Sequence, residues 1–114
     1  MTDDPLLKIR TDFKSAVNMT AGELEKWLRT EESHAVGWKG ADGKRTGESV
    51  GHRSGRRIVQ ILRTHVAELE PGDYDHMRKV VGYVRRHSAQ RPGRNVETSR
   101  WRYSLMNWGH DPCR

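Results

Sequence analysis

Five stretches of this chain carry apolar side chains at intervals of three or four residues, which is the spacing of one face of an α-helix. Prolines, glycines and capping residues separate these stretches from one another. The pattern predicts an all-α fold, a small bundle of four to five helices that forms a single domain over residues 1–114. The apolar faces consist of Leu6, Ile9, Phe13 and Val17; Leu24, Trp27 and Leu28; Ile58, Ile61, Leu62, Val66 and Leu69; Tyr74, Met77, Val80, Val81 and Val84; and Trp101, Leu105 and Trp108.

Capping signals predict the ends of the first two helices and of the last one. Asp4 and Pro5 begin a first helix that runs to about residue 17, because aspartate accepts from free N–H groups and proline has none to leave unpaired in the first turn. Thr20 and Glu23 form a capping box at the start of the second helix. The last helix is predicted over about residues 96–107, with Gly109 as its C-terminal stop.

A long glycine-rich basic loop is predicted between the second and third helices. Six of the eleven glycines of the chain lie within residues 37–55. Lys39, Lys44 and Arg45 add positive charge to the same segment. Because a loop of this length inside a compact domain is usually functional or disordered, we expect residues 37–53 to be flexible.

The start of the third helix is the strongest candidate for a functional site. Its apolar stripe covers residues 58–69, and Ser54 is the predicted N-cap. Because a helix N-terminus already carries partial positive charge, basic residues at this position are unfavourable unless an anion binds there. We therefore predict a site for phosphate or carboxylate at this helix start. The basic or titratable residues that crowd it are His52, Arg53, Arg56 and Arg57.

The fourth helix, for which Asp73 is the predicted cap, has a basic outer side. Arg78 and Arg85 are seven residues apart, as are Lys79 and Arg86, so each pair stacks two turns apart along the helix. No acidic residue four positions away neutralises the later pair. With the third helix, this helix can form a helix-turn-helix in which it reads DNA, or a generic antiparallel hairpin.

The charge of the chain favours a polyanionic partner. Lys and Arg total 21 against 15 Asp and Glu, which gives a net charge of +6 and an isoelectric point near 9.9. This charge is concentrated in residues 37–57, at +4, and in residues 71–114, at +5. Fifteen of the 21 basic residues are arginines, whose forked guanidinium group suits phosphate.

No motif predicts catalysis, a cofactor or a metal site. Residues 47–54 resemble a phosphate-binding loop, but His52 and Arg53 follow Gly51 where that loop needs Lys and Ser or Thr. The six histidines lack zinc-site spacing. We therefore predict no catalytic residues and lean against an enzyme. The lone Cys113, the lack of a signal peptide and the short apolar runs favour a cytoplasmic protein that does not enter a membrane.

Four segments of the chain resemble a known family. They are residues 19–28, 48–62, 77–92 and 100–112, and they include the strings ESVGHRSGRR, HMRKVVGYVRRH and RWRYSLMNWGHDP. The family is the uncharacterised bacterial domain of unknown function number 3140, and the resemblance extends from about residue 10 onward. Its members are often labelled as DNA-binding proteins, so the resemblance implies DNA binding as an expectation. It implies no catalytic residues.

Three functions are compatible with these features. The first is binding of DNA or RNA, mainly through phosphate and with weak sequence specificity. The second is a protein-interaction or assembly module, either a homo-oligomer or a subunit of a larger complex. The third is binding of a small anionic ligand at the start of the third helix. The residues expected to contact nucleic acid or an anion are Lys39, Lys44, Arg45, His52, Arg53, Ser54, Arg56, Arg57, Arg78, Lys79, Arg85 and Arg86.

Overall fold

The computed structural model describes residues 4–37 and 47–114, which form six α-helices and, within these ranges, no strand. The all-α prediction is confirmed, although the helices number six instead of four or five. Lys39, Lys44, Arg45 and most of the predicted loop lie outside the described residues. The helices are α1 (Pro5–Ala16), α2 (Ala21–Leu28), α3 (Glu31–Ala35), α4 (Val50–Leu62), α5 (Pro71–Ser88) and α6 (Arg100–Asn107), and short 3-10 segments at Val66–Glu68 and Val96–Thr98 precede α5 and α6.

The predicted caps of α1 and α2 are confirmed. The Asp4 carboxylate accepts a hydrogen bond from the Leu6 N–H at 3.0 Å. At α2 the Thr20 hydroxyl accepts from the Glu23 N–H at 3.1 Å, and the Glu23 carboxylate accepts from the Thr20 N–H at 2.8 Å. Each bond satisfies a backbone N–H that has no partner within its helix.

The third predicted helix, α4, begins eight residues earlier than its apolar stripe indicated. Ser49 is its N-cap and accepts from the His52 N–H at 3.0 Å, so the assignment of Ser54 as N-cap is wrong. Residues 50–53, which were predicted to belong to the loop, are helical. The first two turns were missed because their buried residues are Gly51, His52, Ser54 and Gly55, which give no hydrophobic periodicity.

The end of α4 also differs from the prediction. The helix stops at Leu62, and residues 63–70 cross to α5 through the first 3-10 segment. Val66, which was assigned to the apolar stripe, is 55% exposed. This connection is longer than the three- or four-residue turn of a helix-turn-helix, so α4 and α5 do not form that motif.

Two further helix starts differ from the prediction. The five residues of α3 lack an apolar stripe, and the helix is capped by Thr30, whose hydroxyl accepts from the Ser33 N–H at 3.2 Å. In α5, Asp73 is three residues inside the helix instead of at its cap. Its carboxylate accepts from the N–H of the true N-cap, Glu70, at 3.0 Å. Aspartate therefore stabilises this helix start from within the first turn.

The core lies between α1 and α5 on one side and α2, α4 and α6 on the other. Leu24, Ile58, Val80 and Leu105 are fully buried in it. At Gly55, α4 approaches α2 and α6 so closely that a Cβ atom would lie 2.5 Å from the Asn107 carbonyl oxygen. Glycine is therefore required where these helices meet.

Helix α6 and the residue that follows it complete the core, as predicted from the tryptophans of this segment. Gly109 adopts φ +80° and donates its N–H to the Met106 carbonyl at 2.9 Å, while His110 donates to the Leu105 carbonyl at 3.0 Å. These two bonds form a Schellman motif, so the prediction of Gly109 as the helix stop is confirmed.

Candidate functional site

The arginines on the outer face of α4 are held by carboxylates. Arg56 donates through Nε to Glu48 at 2.7 Å and makes a second hydrogen bond to the same carboxylate through Nη2. Arg53 Nε lies 4.0 Å from Glu48, and Arg57 donates to Asp73 at 3.0 Å. The positive charge predicted to be uncompensated at this helix start is therefore largely neutralised. Glu48 also stands just before the N-cap, where a negative charge is favourable.

Two residues assigned to the anion site are buried. His52 is 6% exposed, and its ring nitrogens contact the Glu48 carboxylate and, at 2.7 Å, the Leu28 carbonyl oxygen. Ser54 is 3% exposed, and its hydroxyl lies 2.9 Å from His76 Nε2. Burial and the nearby Arg57 and Lys79 charges lower the pKa of His76, which favours the neutral ring. Neither His52 nor Ser54 presents a surface to a nucleic-acid backbone.

Glu48 is the acidic residue on which the start of α4 depends. The hydrogen bond from Arg56 is the main cause that lowers the pKa of Glu48 from 4.5 to about 2, although partial burial opposes this shift. The charged carboxylate therefore stabilises the fold above pH 4.5, and this stabilisation is lost as the pH falls from 4.5 towards 2.

We expect Glu48→Gln to lower the free energy of unfolding by roughly 1–3 kcal/mol at pH 7, because the neutral amide loses the ion pair with Arg56. The deficit relative to the wild type should shrink as the pH approaches 2, where Glu48 itself is protonated. Urea unfolding of both proteins at several pH values measures this difference. A deficit that is the same at pH 7 and near pH 2 would contradict the assigned ion pair.

The basic ridge predicted on α5 divides into two rows. Arg85 lies 3.7 Å from Asp12 of α1, and Arg78 donates to Asp75 at 2.7 Å beside a cleft that Leu6 lines. This row therefore faces α1 and has acidic neighbours. Lys79 and Arg86 form the other row, called here the outer row of α5, and Gly82 lies between them. A Cβ atom at Gly82 would lie 3.0 Å from Arg86 Nη1, so the arginine side chain lies over the glycine.

Seven Lys and Arg side chains of the described residues have no acidic partner, and four of them lie on the outer row and after the end of α5. The other three are Lys14, Lys26 and Arg100, of which Arg100 donates to the Ala35 carbonyl. Among the residues that the structure describes, no carboxylate oxygen lies within 4 Å of the charged nitrogens of Lys79, Arg86, Arg91 or Arg94. The Arg91 guanidinium lies 5.6 Å from the centre of the Trp101 ring. Arg91 and Arg94 were not among the residues predicted from the sequence to bind nucleic acid or an anion. The signal available for them was the basic turn that follows α5.

A cavity of about 540 Å³ opens between α4 and α2. Its apolar part is formed by Leu28 and Val59, and the stacked rings of His34 and His52 also line it. The ring centres of the two histidines are 4.3 Å apart. Three arginines, one acidic residue and one amide complete the lining: Arg29, Arg56, Arg63, Glu25 and Gln60. Of the sequence-predicted residues that the structure describes, only His52 and Arg56 belong to this cavity.

Within residues 4–37 and 47–114, no three His, Cys, Asp or Glu side chains form a group that could hold a metal ion. The helices of the same two ranges include none long and apolar enough to cross a membrane.

Comparison with known proteins identifies a family. The family described as "Protein of unknown function (DUF3140)" matches residues 12–106, so this chain belongs to it, as its resemblance indicated. No curated protein and no solved structure matches the chain.

Proposed function

We propose that this DUF3140 protein binds nucleic acid, most readily DNA, through the phosphate backbone and along the outer row of α5. The observation that carries the proposal is the separation of its cations into paired and unpaired groups. The arginines of α4 lie against Glu48 and Asp73, whereas Lys79 and Arg86 have no such partner in the described part of the chain. An unpaired cation can bind phosphate without first breaking an ion pair.

The geometry of this row suits a phosphate backbone. Lys79 and Arg86 are two helical turns apart, a rise of about 10 Å, so they can contact different phosphates of one strand. Because Gly82 has no side chain, the Arg86 guanidinium group lies against the helix between the two positions, where it can donate to a phosphate. Contacts of this kind fix the position of a duplex but read little sequence, which agrees with weak specificity.

Other basic residues extend the proposed surface. Arg91 and Arg94 follow the end of α5, and Arg57 lies at its beginning, since it donates to Asp73 in the first turn. Arg53 remains a predicted contributor from its exposed position on α4. Lys39, Lys44 and Arg45 remain predicted contributors from the sequence alone. Members of the family that the sequence resembles are often labelled as DNA-binding proteins, which supports DNA over RNA. The single cysteine supports a cytoplasmic location.

We expect the double variant Lys79→Gln/Arg86→Gln to bind a 20-base-pair DNA roughly tenfold more weakly, because two phosphate contacts are removed. Its plot of log affinity against log salt should be less steep by about two units. Fluorescence polarisation at several salt concentrations measures both quantities. The matched control is Arg56→Gln/Arg63→Gln, which removes the same charge from arginines held by carboxylates and should change binding little. Equal weakening of the two variants would show that only net charge matters.

An assembly module is the second candidate, and a specific observation favours it. Leu6 and Leu7 on α1 are 40% and 54% exposed, and Leu6 lines a cleft of about 220 Å³ with Tyr74 and Leu69. Exposed apolar residues grouped in this way are typical of contact surfaces. Light scattering with and without DNA discriminates between the two functions, because a stable oligomer that ignores DNA would favour assembly.

A further inference from the structure

The cavity between α2 and α4 has the size and lining of a small-molecule site. Its volume of about 540 Å³ falls within the usual range for such sites. We propose that it binds a small aromatic anion, a ring that carries one carboxylate or phosphate group. The proposed DNA-binding row uses different residues, so this proposal does not depend on it.

The arginines would bind the anionic group. Glu25 holds Arg63 at 2.9 Å and Arg29 at 3.5 Å, and Glu48 holds Arg56. Three guanidinium groups against two carboxylates leave this lining with a net positive charge. Each arginine has five N–H donors. The ion pairs occupy two donors of Arg56 and one of Arg63. The remaining donors can bind a ligand oxygen while the carboxylates keep the guanidinium groups in place.

The histidine stack would bind the ring. His34 is exposed and packs on His52 with an angle of 28° between the ring planes. The His52 ring is fixed in orientation, because both of its nitrogens contact acceptors. His34 therefore stacks on a ring that does not turn. Leu28 and Val59 add apolar surface in the same cavity. A planar ring can therefore stack or pack here while its acidic group reaches the arginines.

Isothermal titration calorimetry of the whole protein with benzoate and with phenyl phosphate tests this proposal. We expect saturable binding of at least one of them with a dissociation constant below about 1 mM. Whichever binds more tightly identifies the preferred acidic group. Cyclohexanecarboxylate, which has the charge but no aromatic face, and inorganic phosphate, which has no ring, should each bind at least fivefold more weakly than their aromatic counterparts. No saturable binding of either aromatic anion, or equal binding of the counterparts, would overturn the proposal.

Two variants locate the site. Arg63→Gln should weaken binding roughly tenfold, because it removes a charge-assisted donor from the cavity. His34→Ala should weaken binding of the aromatic anions without weakening that of inorganic phosphate. The matched control is Arg57→Gln, another exposed and paired arginine of α4 that lies outside the cavity. Equal loss in Arg57→Gln and Arg63→Gln would place binding elsewhere.

The DNA-binding proposal and the cavity proposal can be tested independently of each other. The variant Lys79→Gln/Arg86→Gln should bind phenyl phosphate as the wild type does, because neither residue lines the cavity. Arg63→Gln should in turn leave DNA affinity unchanged. If phenyl phosphate binding were lost in the α5 variant, the anion would be bound by the basic row and the cavity proposal would be wrong.

Discussion

Gly55→Ala is expected to destabilise the protein by about 3 kcal/mol or more, which is a large part of the stability of a domain of this size. The added Cβ atom would lie 2.5 Å from the Asn107 carbonyl oxygen and 2.7 Å from a methyl carbon of Leu28. A backbone carbonyl cannot move aside as a flexible side chain can. Helices α2, α4 and α6 would therefore separate at the point where they meet.

Urea unfolding monitored by circular dichroism measures this effect, and Gly22→Ala is its control. Gly22 lies in α2, and a Cβ atom added there would meet no side chain or neighbouring helix within 4 Å. Alanine at this position should stabilise the helix by roughly 0.5–1 kcal/mol through its higher helix propensity. If both alanine variants were as stable as the wild type, the close approach at Gly55 would be incorrect.

Asn107→Ala is expected to cost about 3 kcal/mol, because it removes the centre of a buried hydrogen-bond network. The Asn107 side-chain oxygen accepts from Trp27 Nε1 at 2.8 Å and from the Ser33 hydroxyl at 2.5 Å. Its amide nitrogen donates to the Ser33 carbonyl at 3.0 Å. Alanine would leave all three groups without this partner, and α2 and α3 would lose their polar connection to α6.

A double-mutant cycle with Ser33→Ala tests the network. Ser33→Ala alone removes one hydroxyl and should cost about 1 kcal/mol. In that background Asn107→Ala should cost less than it does in the wild type, since one of the unpaired groups is already absent. Tryptophan fluorescence during urea unfolding gives the four free energies. Strict additivity would contradict a shared network.

Only some features of the candidate site could be predicted from the sequence. The charge of Arg56 and Arg57 could be read from the sequence, but both residues lie in the middle of α4 instead of at its start, and their carboxylate partners were not foreseen. Glu48 is eight residues from Arg56, and Asp73 is sixteen from Arg57. Neither separation is the three- or four-residue interval at which helical side chains meet. The cavity was missed for a similar reason, because its lining comes from α2, α3 and α4.

The sequence by itself determined the helical class, the capped starts of α1 and α2, the Gly109 stop and the excess of positive charge. These features depend on side-chain spacing, on hydrogen bonds within about five residues and on composition, all of which can be read locally. Only the tertiary structure decided where α4 begins and which cations are neutralised. Helix packing buries Gly51, Ser54 and Gly55 and brings Asp12 to Arg85. Burial and ion pairing between distant residues are properties of the packed chain. Because of them, the proposed nucleic-acid surface is centred on the outer row of α5 and not on the start of α4.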